Sequence, residues 1–87
     1  MPVDRSRVLE VMRQIQSRQR KPGPDREDQS LREIDFRSLD FSELILRLEE
    51  AAGRELDLDG VTLRAIRTVG DAVTFFSSAF EDHEDVR

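Results

Sequence analysis

An all-α fold is what this sequence predicts: a small helical bundle with three main helices, one short helix and a long first loop. Three segments repeat apolar residues at spacings of three and four, each carries a capping signal, and the stretch between the first two is rich in proline, glycine and charge. With 87 residues the chain supports one small hydrophobic core. Its hydrophobic fraction of 37% is enough for that core, while the charged fraction of 38% and net charge of -5 predict a highly soluble domain, expected to be a monomer.

The first helix is predicted over Val3 to Arg18, where Val8, Leu9, Val11, Met12 and Ile15 share one face and Asp4 is available as a cap. The next stretch, RKPGPDREDQS at residues 20 to 30, breaks the helix and predicts a long solvated loop. Ser38 is placed as the N-cap of a second helix, Leu39 to Ala52, and Gly53 supplies the left-handed residue that ends it. An extended piece from Arg54 to Asp59 and a turn at Gly60 precede a short helical segment, Val61 to Ile66. Thr68 with Asp71 forms a capping pattern, after which Val69, Ala72, Val73, Phe76 and Phe80 define a last helix from Val69 to about Phe80. Residues 1–80 are expected to form a single domain, and the acidic tail EDHEDVR, residues 81–87, is expected to fray.

Charge is unevenly distributed. Residues 1–21 hold six bases against two acids, a balance of +4, which leaves -9 on the remainder. No apolar run is long enough to span a membrane and the N-terminal residues are charged where a signal peptide is apolar, so a cytoplasmic location is the expectation. The absence of cysteine excludes disulfides, thiolate nucleophiles and cysteine metal sites in the chain itself.

Self-contained catalysis is not expected, because the only histidine, His83, lies in the acidic tail, remote in sequence from any candidate nucleophile. His83 among Glu81, Asp82, Glu84 and Asp85 reads as solvated tail rather than a metal site. There is no glycine-rich phosphate loop. A nucleic-acid surface on Arg5, Arg7, Arg13, Arg18, Arg20 and Lys21 is disfavoured by the overall acidity and by the absence of stacking aromatics among those bases.

On a helical wheel of about 100° per residue, the second helix gathers Phe41, Leu44, Ile45, Leu48, Ala51 and Ala52 on a core stripe. Leu39 and Leu46 fall nearly opposite, beside Ser42, Glu43 and Glu50, where the fold cannot bury them. Isolated exposed leucines are common on soluble proteins. Set among acids, these two also suit a docking face, with apolar contacts at its centre and Asp40, Glu43, Glu49 and Glu50 steering basic partners.

The segments RSLDFSELILRLEEAAGREL and TLRAIRTVGDAVTFF together resemble the acyl carrier proteins over nearly the whole chain. That resemblance implies an acyl-carrier-protein-like bundle in which Ser38, followed by Leu39, carries 4′-phosphopantetheine donated from coenzyme A by a phosphopantetheinyl transferase. It also implies that Leu39, Asp40, Glu43, Leu46, Glu49 and Glu50 form the partner-docking surface of a non-catalytic carrier holding acyl or aminoacyl thioesters. The implied partners are an acyl ligase, ketosynthase or acyltransferase of a specialised fatty acid, polyketide or other secondary-metabolite pathway, with no nucleic acid and no membrane.

Two positions depart from the family pattern. Arg37 replaces the usual aspartate before the serine, which reverses a charge that the transferase reads, and Asp35 stands where the family often has glycine. A dedicated or tolerant transferase is then implied, and Arg37 becomes a candidate contact for the phosphate. The alternative is a carrier-like helical interaction module in which Ser38 is an unmodified N-cap.

Overall fold

The computed structural model describes residues 3–58 and 60–80. It contains four helices: α1 (Arg5–Arg18), α2 (Ser38–Ala52), α3 (Gly60–Ala65) and α4 (Val69–Ala79). There is no β-strand among the described residues, so the all-α bundle of three main helices and one short one is the observed architecture. The expected acidic tail lies outside the described residues, as does Asp59.

Helix α1 starts where the Asp4 side chain accepts the Arg7 N–H at 2.9 Å. It ends with Arg20 in the left-handed region (φ 60), which lets Arg20 N–H reach Ser17 O at 3.0 Å and Lys21 N–H reach Gln16 O at 2.9 Å. Gly53 ends α2 in the same region, at φ 74. The predicted turn at Gly60 is instead the first residue of α3, none of whose described side chains is fully buried.

Helix α1 packs against both α2 and α4. Val8, Met12 and Ile15 meet Leu44 and Leu48 of α2 and Val69, Ala72, Val73 and Phe76 of α4 in one core. Each large side chain buried there contributes about 1.5–3 kcal/mol relative to exposure. Phe36 and Phe41 meet edge to face with ring centroids 5.0 Å apart, and Phe75 meets Phe76 similarly at 5.1 Å.

The loop between α1 and α2 is less solvated than its composition predicts. Pro24 and Gln29 are buried within it, and Leu31, Ile34 and Phe36 add its second half to the core. Gln16, fully buried on α1, donates its amide to Pro22 O at 2.9 Å and Ile34 O at 2.6 Å, fastening both halves of the loop to the helix. Further along, Ser30 pairs with Thr68 as an isolated antiparallel bridge. There the loop carbonyls also serve as caps: Gln29 O accepts Val69 N–H at 3.0 Å and Glu27 O accepts Gly70 N–H at 2.8 Å. Thr68 Oγ1 accepts Asp71 N–H at 3.0 Å, while the Asp71 carboxylate accepts the N–H groups of Arg67 and Thr68. Helix α4 therefore has its leading donors satisfied.

Candidate functional site

The chain approaches α2 through a turn that ends at Asp35, in the left-handed region at φ 58. Phe36 N–H donates to Leu31 O at 2.9 Å and its ring is buried against Phe41, which fixes the backbone one residue before Arg37. Arg37 is extended (φ -106, ψ -178) and occupies the N-cap position expected for Ser38. The boundary moves by one residue because the Asp40 carboxylate reaches back to accept Arg37 N–H at 2.8 Å.

Ser38 is thus the first helical residue, and it is exposed. Its hydroxyl makes no hydrogen bond among the described residues; only its carbonyl is used, accepting Ser42 Oγ at 3.3 Å. A guanidinium has donors and no acceptor, so Arg37 cannot cap the helix with its side chain. The N–H groups of Ser38, Leu39 and Asp40 consequently have no acceptor among the described residues, in contrast to the capped starts of α1 and α4.

Arg37 itself is 76% exposed, and its Nε donates to Asp35 Oδ1 at 2.5 Å. That hydrogen bond holds the Asp35 carboxyl below the usual carboxylate range, and Asp35 raises Arg37 in return. Lys21 supports the turn from below: Nζ donates to Asp35 O at 2.6 Å and to Asp40 Oδ2 at 2.8 Å.

The expected docking residues divide. Leu39 is 82% exposed and Leu46 is 55% exposed, as the wheel requires, and Glu50 is also exposed. Asp40 is not part of that face: it is 5% exposed, and its carboxylate accepts from Gln19 Nε2 at 2.6 Å as well as from Lys21 and Arg37 N–H. Burial pushes the Asp40 carboxyl up, but those donors outweigh it and leave the group below its ordinary value. Glu43 bridges Arg18 and Arg47, and Glu49 accepts Leu56 N–H at 2.7 Å, tying down the chain after α2.

Val61 on α3, 69% exposed, is a further large apolar surface residue that the sequence pattern does not single out, since six residues are too few to show a periodicity. A concavity of about 640 Å³ lies between the first loop, α3 and α4, floored by Ile66 and Phe75, and takes no residue from α2. Among the described residues no group of three or more His, Asp or Glu side chains could hold a metal ion, and the His83 tail lies outside them. No helix among the described residues is long and apolar enough to cross a membrane.

Compared with protein-family models, curated proteins and solved structures, the chain matches none.

Proposed function

We propose that the protein is a carrier whose Ser38 Oγ is the attachment point for 4′-phosphopantetheine. The observation that carries this reading is the state of Ser38: an exposed, unbonded hydroxyl on the first residue of an uncapped helix. An anion bound through that oxygen meets the positive end of the helix dipole and unsatisfied N–H donors. Phosphopantetheine suits these residues, with the first-turn amides and Arg37 available to its phosphate. When bound, the group supplies a thiol that holds acyl or aminoacyl cargo as a thioester, chemistry this cysteine-free chain lacks.

Two further features support the reading. Asp35, where the resembled family often has glycine, adopts the left-handed conformation that favours glycine. Leu39 and Leu46 give α2 exposed apolar contacts that the core does not use. In this role the chain is not a catalyst. It anchors cargo and docks a transferase and then an acyl ligase, ketosynthase or acyltransferase, in a cytoplasmic fatty acid, polyketide or related secondary-metabolite pathway. The docking charge is narrower than the sequence suggests, because Asp40 is buried and Glu43 and Glu49 are engaged within the fold.

Intact-mass measurement after incubation with coenzyme A and a panel of phosphopantetheinyl transferases, the host's included, tests this. One phosphopantetheinyl group is expected on the wild type and none on Ser38→Ala. No gain with any transferase would leave the unmodified interaction module as the better description.

A further inference from the structure

Next to Ser38 stands an exposed ion pair whose carboxylate has one further, longer contact, to Lys21 Nζ at 3.8 Å. Arg37 Nε meets Asp35 Oδ1 at 2.5 Å, yet the two side chains are 76% and 49% exposed. A pair so open to water has little net stability, and its partners can be exchanged at small cost. Asp35 is meanwhile fixed by its backbone: its carbonyl accepts from Lys21 Nζ and its N–H donates to Arg32 O at 3.0 Å. Arg37 is fixed by its N–H on Asp40, while its guanidinium is free to turn. The mobile member of the pair is therefore the cation.

We propose that Arg37 changes partner when Ser38 is modified, leaving Asp35 for the phosphate, so that an Asp35 carboxylate without Arg37, keeping only its longer contact to Lys21 Nζ at 3.8 Å, marks the loaded protein. This rests on the modification of Ser38 proposed above. The phosphate is covalently held on the residue next to Arg37 and offers oxygens matched to the guanidinium fork. It also gains the first-turn N–H groups of α2, which Asp35 cannot use from its own turn. The unmodified protein thus presents a carboxylate covered by Arg37 beside Ser38, and the loaded protein presents that carboxylate uncovered on its solvent side. A partner enzyme with a cation at that point can tell the two forms apart, whatever the cargo.

The carboxyl titration of Asp35, followed by NMR in the unmodified and phosphopantetheinylated proteins, reads the exchange directly. The charged groups facing Asp35 are Arg37, Lys21 and Asp40; the last two are held together at 2.8 Å and stay constant in the comparison. Asp35 is expected to titrate low in the unmodified protein, held there by the hydrogen bond from Arg37, and to rise on modification as that bond is lost. Arg37→Gln separates this from simple repulsion by the phosphate: its Asp35 titrates higher at the outset and rises clearly less on modification. The wild-type Arg37 Nε–H resonance gives a second reading, moving on modification if the guanidinium changes partner. Equal rises in wild type and variant, or an Arg37 signal that does not move, overturn the exchange while leaving Ser38 modification intact. A wild type that acquires no arm removes both.

Discussion

Gly70 and Glu27 approach each other too closely for a side chain between them. The Gly70 N–H donates to Glu27 O at 2.8 Å, and a Cβ built on Gly70 would lie 3.0 Å from that same oxygen and 3.2 Å from the Glu27 Cβ. The oxygen cannot retreat without loosening the cap it provides to α4. In an exposed helix, replacing glycine by alanine gains about 1 kcal/mol. Here the sign reverses: Gly70→Ala is expected to destabilise by about 1–3 kcal/mol through overpacking, measured by urea denaturation. A stabilised Gly70→Ala would show that the first loop does not lie against α4 as described.

Arg20 gives the opposite case. It holds the left-handed position of the α1 terminus at φ 60, and that conformation costs a residue with a Cβ about 1–2 kcal/mol. The hydrogen bonds it enables, from Arg20 and Lys21 N–H to Ser17 and Gln16 carbonyls, are backbone bonds that glycine retains. Arg20→Gly is therefore expected to stabilise by about 0.5–1 kcal/mol after the flexibility of glycine in the unfolded chain is counted. Arg20→Ala, which keeps the Cβ, should give no such gain in the same thermal melts.

Asp40 ties the end of α1 to the start of α2, and its protonation state sets when that tie holds. Its folded value lies below the ordinary carboxylate range, so its stabilisation is complete above the unfolded value of about 3.9 and is lost as pH falls through the folded value. Asp40→Asn should cost about 2–3 kcal/mol near neutral pH, because Lys21 loses its buried partner and a charged acceptor is removed. The variant's stability should also fall less steeply than the wild type's below about pH 4. Parallel acid limbs in wild type and variant would assign that pH dependence to other carboxylates.

These residues show what the sequence could disclose. Helix periodicity located α1, α2 and α4, because a stripe of residues such as Val8, Met12 and Ile15 must face the same core wherever the helices meet. The Asp4, Gly53 and Thr68 caps were legible for a local reason: each acts on backbone within a few residues of itself. The N-cap falls on Arg37 and not on Ser38, against serine's local preference for that position, because Asp40, three residues on, takes the Arg37 N–H. Contacts joining distant segments leave no such local trace. Nothing in the pattern announces that Lys21 meets Asp40 or that Gln16 fastens the loop, and so the sequence alone places Asp40 on the surface. The exposed pair Leu39 and Leu46 was legible for the same reason as the core, as the residue left over when the stripe is placed.

That pair also separates folding from recognition. Leu44 is fully buried, and Leu44→Ala should cost about 2–5 kcal/mol in unfolding measurements. Leu39 and Leu46 lie on the same helix with 82% and 55% of their surface exposed. Their joint replacement by alanine should change stability by no more than about 0.5 kcal/mol, since alanine is at least as good a helix former. If α2 docks partner enzymes, the double variant should keep its melting temperature and lose phosphopantetheinyl loading chiefly through a raised KM, with kcat little changed. A shared loss of stability would place these leucines in the fold, and unaltered loading with a compatible transferase would move the docking surface elsewhere, with the exposed Val61 of α3 the next position to replace.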